Sequence, residues 1–164
     1  MKIFAVSGVS SSGKTTVIEM IIKELKARGY RVGSIKDIHF KDFTMDQAGS
    51  NTWRHLQAGA EQVIARGFQE TDILIQRRME FEELISYFDQ DYLVIEGMPE
   101  AKVPRILCAH QVDELKERWT DYVFAVSGRI AEMISGFRGI PAVNVLTDIK
   151  ELVDLVEAKV LVKE

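Results

Sequence analysis

Gly8-Val9-Ser10-Ser11-Ser12-Gly13-Lys14-Thr15-Thr16 is the stretch on which the reading of this chain turns. Its first eight residues fit G-x-x-x-x-G-K-[ST], a pattern with physical meaning only when a strand precedes it and a helix follows. Both are legible. Ile3-Phe4-Ala5-Val6 is a short apolar run that stops at the Gly/Ser cluster, and Val17, Ile18, Ile21, Ile22 and Leu25 then recur at helical spacing as far as Arg28-Gly29. In such a strand, loop and helix the glycines let the backbone wrap closely round phosphates. Successive N–H groups and the positive end of the helix dipole offset the negative charge. Gly8, Ser10, Ser11, Ser12, Gly13, Lys14, Thr15 and Thr16 are therefore the expected nucleotide-binding residues. Lys14 is assigned to the β- and γ-phosphates, Thr15 to Mg²⁺, which takes hard oxygen donors, and Thr16 to the α-phosphate.

Outward from this motif, Gly29 stands where a left-handed C-terminal cap belongs, and residues 31–35 return as a second buried strand, completing a βαβ unit. Residues 36–49 are polar and irregular, and a loop this long inside a compact domain points to function. A short helix is expected over 51–58. Strands at 62–65 and 72–76, joined by a turn at Gly67, read as a hairpin. Phe81, Leu84, Ile85 and Phe88 mark an amphipathic helix, and 92–95 is a further strand. Strands at 105–109, 122–126 and 142–146 then alternate with helices at 112–118, 130–135 and 149–156. Alternation of this kind gives a mainly parallel sheet flanked by helices. The expected architecture is a three-layer α/β/α P-loop NTPase fold with a small hairpin insertion, forming one nucleotide-binding domain over 1–164.

Two carboxylates stand where such a sheet places ligands. Glu96 follows four apolar residues at the carboxyl end of a strand, suited to Mg²⁺ or to orienting a nucleophile, and Asp37 ends the second strand in the same way. With Lys14 they form the candidate catalytic set, and with Thr15, Glu96 forms the candidate metal set. Asp46 is a weaker candidate. His39 and His55 are too isolated for zinc, which needs three or four N or S ligands. Arg54, Arg77, Arg78 and Arg105 are candidates for a second anion, set against the commoner solvated role, and His110 carries no assignment.

Bulk composition bounds the rest. The chain has 164 residues, 46% of them hydrophobic, which suits one ordinary core. A formal net charge of −4 argues against broad capture of nucleic acid. The one cysteine, Cys108, can form no intramolecular disulfide, which favours a reducing compartment, the cytoplasm. Every apolar run is broken well short of the ~18 residues a bilayer span needs, and the opening run is too short for a secretion signal.

The ordered series resembles a known family, the molybdopterin-guanine dinucleotide biosynthesis protein B, usually called MobB. The resemblance rests on residues 8–16, the helix end Glu24-Leu25-Lys26-Ala27-Arg28-Gly29-Tyr30-Arg31-Val32, and Ile35-Lys36. It continues through Asp46, Gly49, Thr52, Arg54-His55, Ala58-Gly59-Ala60, Val94-Ile95-Glu96-Gly97 and Pro104-Arg105-Ile106. It implies a GTP-binding protein with weak GTPase activity, a homodimer acting beside the enzyme that joins GMP to molybdopterin. Gly8, Gly13, Lys14, Thr15 and Thr16 carry over for nucleotide and Mg²⁺, and Glu96 with them. Asp46, Gly49, Thr52 and Arg54 match a segment on the nucleotide or cofactor side. The chain departs from the family in two places. A histidine-rich stretch after the second strand is here Lys36-Asp37-Ile38-His39-Phe40, and a Gly-Lys-Asp-Ser is here Gly49-Ser50-Asn51-Thr52.

Two other functions use the same loop. A small-molecule kinase needs an acceptor pocket and an arginine-bearing lid, for which Arg77-Arg78 are available. A nucleotide-dependent adaptor for another cofactor pathway needs only that nucleotide select a conformation for a partner. No Asn-Lys-x-Asp sequence reads guanine, so GTP rests on the resemblance and ATP stays open. Residues 126–129 or 144–148 are expected to face the base, and Phe68, Ile73 and Ile75 to supply a dimer surface or core.

Overall fold

In the computed structural model, which describes residues 1–162, the run Ile3 to Val6 lies within strand β1 (Lys2–Gly8), and all four of these side chains are buried. A strand apolar on both faces belongs in the middle of a parallel sheet. Helix α1 (Lys14–Ala27) follows directly and buries Val17, Ile18, Ile21 and Leu25. Its end has the expected left-handed form: Gly29, at φ 91°, donates its N–H to Lys26 O at 3.0 Å, and Tyr30 N–H reaches back to Leu25 O at 3.1 Å. The chain then enters β2 (Val32–Lys36).

Contacts divide the chain into two compact units, one formed by Met1–Asp37 and the chain from Ser86 onward, the other by Ile38–Ile85. The smaller unit holds α2 (Asn51–Gln57), β3 (Gln62–Arg66), β4 (Thr71–Ile75) and α3 (Phe81–Ile85). Ser50 caps α2 by accepting Trp53 N–H at 3.0 Å. β3 and β4 form the expected antiparallel hairpin, with Ile64 directly opposite Ile73. Both are exposed, as are Phe40, Phe43, Met45 and Phe68.

The larger unit continues with β5 (Tyr92–Glu96), β6 (Arg105–Cys108), α4 (Val112–Arg118), β7 (Val123–Ser127), the short pair β8 (Gly136–Phe137) and β9 (Ile140–Pro141), and α5 (Ile149–Lys159). Its five-stranded sheet has the order β2-β5-β1-β6-β7 and every pair is parallel. Ile106 and Cys108 join the cluster under α1 and α5, while Leu107 and Ala109 join the one that contains Leu115 of α4, so successive residues of β6 serve opposite faces. Arg28 links α1 to α5 through Glu24, Asp154 and Glu157 at 2.9, 2.6 and 2.6 Å. Lys2 bridges antiparallel to Val162.

Two expected elements differ. Residues 142–146 make one parallel bridge, Val126 to Ala142, and no strand. Ala142 N–H is taken by Ser135 O at 3.0 Å, and Asn144 O turns the chain by accepting Thr147 and Asp148 N–H, leaving too little backbone to continue a ladder. The helix expected at 130–135 is a 3₁₀ turn, Gly128–Glu132, because β8 begins at Gly136 and allows only a tight turn before it. Among the described residues no helix is long and apolar enough to cross a membrane.

Candidate functional site

Every component of the site belongs to the larger unit. β1 lies where the winding reverses, with β5 on one side and β6 on the other, and open α/β sheets receive ligands beyond the carboxyl ends of their strands at this point. β1 delivers the loop 8–13 there, and α1 starts immediately after it.

Close backbone approach pins the loop. At Gly8, φ 143°, a Cβ would stand 1.9 Å from the carbonyl oxygen of Cys108; at Gly128, φ 74°, one would stand 2.2 Å from that of Ser12. Only glycine allows either contact. The loop carbonyls are held by donors. Val9 O accepts from Ser12 Oγ at 2.9 Å and Lys14 Nζ at 2.6 Å, Ser12 O accepts Arg129 N–H at 3.1 Å, and Ser11 O lies 3.1 Å from Nε2 of His110. In a planar trans peptide the N–H points opposite to the C=O, so fixing these carbonyls fixes the amide directions too. The first intrahelical bond of α1 runs from Val17 N–H to Gly13 O at 2.9 Å, and among the described residues no side chain caps the turn before it. The N–H groups of Lys14, Thr15 and Thr16 therefore have no helical partners, an arrangement that suits an anion.

Glu96 ends β5. Its carboxylate receives Lys36 Nζ at 3.1 Å and stands 3.4 Å, from either oxygen, from the Thr15 hydroxyl. A cleft of about 550 Å³ covers this pair. Lys36 and Glu96 line it from the β2 and β5 side of β1, while Arg129, Glu132, Asn144, Val145 and Leu146 line it from the β7 side. Asn144 Oδ1 accepts Leu146 N–H at 3.0 Å, so the oxygen is engaged and the amide nitrogen is the donor of this cleft-lining side chain. Among the described residues no three His, Cys, Asp or Glu side chains cluster as a metal cage.

Of the expected residues, Ser10, Ser11, Gly13, Lys14, Thr15, Thr16 and Glu96 line the cleft. Gly8 and the fully buried Ser12 stand behind it as support. Asp37 follows β2 and its backbone N–H donates to Glu96 O at 2.9 Å, but its side chain is not part of the cleft lining. Asp46 belongs to the smaller unit. Its Oδ1 accepts from Ser50 Oγ at 2.8 Å, Thr52 Oγ1 at 3.0 Å and Gln47 N–H at 2.9 Å, and these bonds, Ser50 first, hold the carboxyl below its usual range. It organises the start of α2. Arg77 pairs with Glu83. Arg105 is buried beneath the loop after β5, where it donates to the carbonyls of Ala101 and Pro99, and burial pushes its guanidinium pKa down. Burial likewise pushes the Cys108 thiol up to about 12, leaving it inert.

Three participants carried no site assignment in the sequence reading: Lys36, His110 and Glu132. Lys36 closes β2 and His110 lies two residues past β6, so the rule that selected Glu96, polar residues just beyond apolar strands, reaches both. Glu132 gives no such signal, because it lies in a turn expected to be helix.

Comparison with known proteins agrees with this fold. The family model described as Molybdopterin guanine dinucleotide synthesis protein B matches residues 3–127. A Haemophilus influenzae protein named molybdopterin-guanine dinucleotide biosynthesis adapter protein is 32% identical over 131 residues, spanning 76% of this chain and 73% of its own length. A probable adapter protein of the same name from Bacillus subtilis is 27% identical over 143 residues, spanning 85% and 83%. The crystal structure of Bacillus subtilis MobB aligns with a TM-score of 0.81 at 25% identity, covering 99% of this chain and 100% of that one.

Proposed function

The chain belongs to the molybdopterin guanine dinucleotide synthesis protein B family, and from that premise we propose that it is a GTP-binding accessory protein of molybdenum cofactor biosynthesis with slow, Mg²⁺-dependent GTPase activity. The observation that carries the reading is the uncapped first turn of α1, facing a cleft that also holds Lys14, Thr15 and Glu96. Lys14, bonded to Val9 O at 2.6 Å, is the side chain that turns to the β- and γ-phosphates. Mg²⁺ usually takes one or two protein oxygens with waters and substrate phosphates. The Thr15 hydroxyl and the Glu96 carboxylate, 3.4 Å apart, fit that demand and would hold it. When bound, the ion supplies positive charge beside the γ-phosphate. Glu96 is the carboxylate best placed to orient water, since it lines the cleft and Asp37 does not.

Guanine is supported by the β7 side of the cleft. The Glu132 carboxylate is an acceptor for the N1–H and N2–H₂ donors of guanine, where adenine offers an acceptor at N1, and the Asn144 amide is a donor. The adapter names of the relatives support action beside the enzyme that joins GMP to molybdopterin, and the exposed apolar hairpin of the smaller unit supports a homodimer. The lone, buried Cys108 suits the cytoplasm.

Calorimetric titration of GTP and ATP with Mg²⁺ tests the reading, with Lys14→Ala expected to lose most affinity for either. Preference for GTP is the expected result. Equal or tighter ATP binding would remove the role given to Glu132 and favour a kinase, and no binding of either nucleotide would overturn the site itself.

A further inference from the structure

We propose that His110 is a positioning residue of the phosphate loop, its ring holding the Ser11 peptide in the orientation that bound phosphates require. The proposal rests on the nucleotide-binding reading above. Ser11 has φ 58°, a left-handed conformation that crowds a side chain against its own backbone and persists only where the surroundings hold it. Within the loop the peptide that joins Ser11 to Ser12 has one weak restraint, Ser12 N–H to Val9 O at 3.4 Å. From outside, Nε2 of His110 stands 3.1 Å from Ser11 O. A carbonyl oxygen can only accept, so Nε2 carries the hydrogen and donates.

The ring is itself anchored. The His110 backbone N–H donates to Glu114 Oε2 at 2.7 Å, and the same oxygen lies 3.4 Å from Nδ1. Glu114 sits in the first turn of α4, and His110 leaves β6 two residues after Cys108, whose carbonyl touches the Gly8 backbone. One strand end thus supports the loop twice, through the Cys108 carbonyl against Gly8 and through the His110 ring against Ser11. Without the ring, the Ser11 peptide is free to leave the left-handed region. The Ser11 N–H, on the other side of that torsion and at a residue that lines the cleft, then loses its direction. A His110 that merely stabilised the turn between β6 and α4 would affect melting and leave anion affinity alone.

The test titrates inorganic tripolyphosphate, and separately GTP, into wild type, His110→Ala and His110→Gln, and records the nucleotide-free melting midpoint of each. Tripolyphosphate reads the loop without the base. His110→Ala is expected to bind it roughly threefold to tenfold more weakly, the loss of one net hydrogen bond, and His110→Gln, whose amide can still donate to Ser11 O, to return within about twofold of wild type. Unchanged affinity in His110→Ala, or equal weakness in the alanine and glutamine variants, would overturn the proposal. A wild type that bound neither ligand would be a different failure, that of the nucleotide-binding reading.

Discussion

At the scale of single residues, the site depends as much on an atom left out as on those present. Gly128 has a conformation that disfavours any side chain and a carbonyl, that of Ser12, where the side chain would go. Gly128→Ala is expected to destabilise the protein by about 2–5 kcal/mol, combining left-handed strain with overpacking. Thermal or urea unfolding measures this, and a variant as stable as wild type would show that the loop is not wedged there. Residues 8–16 are readable from sequence because a contiguous motif encodes its own backbone geometry. For Lys36 and His110 the sequence shows only that each stands at or just past the end of an apolar strand; which loop atom each meets arises when strands far apart in sequence end side by side in the sheet.

At the scale of elements, α1 was legible at both ends because its apolar spacing, Gly13 and Gly29 are all local signals. Residues 130–135 and 142–146 were misread because what decides them is remote. Ser127 Oγ bonds Val143 O at 2.7 Å and Ile130 N–H bonds Ala109 O at 2.9 Å, tying both segments to strands rather than to themselves. The start of α4 gives a pH-dependent test. Backbone N–H groups, that of His110 first, hold the Glu114 carboxyl below its ordinary value of 4.5. Folding therefore favours the ionised form. The gain is complete above about pH 4.5 and is lost as pH falls through the lower pKa of the folded state. Wild type should exceed Glu114→Gln in melting temperature at neutral pH, and the gap should close on acidification. A gap that widened below pH 4 would reverse the assignment.

At the scale of the whole molecule, six of the twelve large exposed apolar residues among the described residues fall within the smaller unit, although it is the shorter part of the chain. Ile64 and Ile73 face each other across the hairpin and are 58% and 46% exposed, a pairing that alternation predicts and that a lone chain would leave in water. The hairpin itself was legible from sequence, but what covers it was not, because the same residues read equally well as core. Light scattering is expected to give twice the mass of one chain for wild type and the mass of one chain for Ile73→Asp. A wild type that stayed monomeric at all concentrations would remove the homodimer from the reading.

The bridge between Lys2 and Val162 has a consequence for handling and redesign. β1 carries the phosphate loop at its carboxyl end, so its seven residues put Lys2 roughly 20 Å away along the sheet, at the edge opposite the cleft. Val162 lies beside it. Anything joined to the chain just before Lys2 leaves from the end of β1 opposite the cleft. A short linker could also join the positions at Lys2 and Val162, with a new opening at an exposed turn such as residues 67–70. The cleft is then indifferent to where the polypeptide starts, since its parts are placed by the order of strands in the sheet and not by their order along the chain.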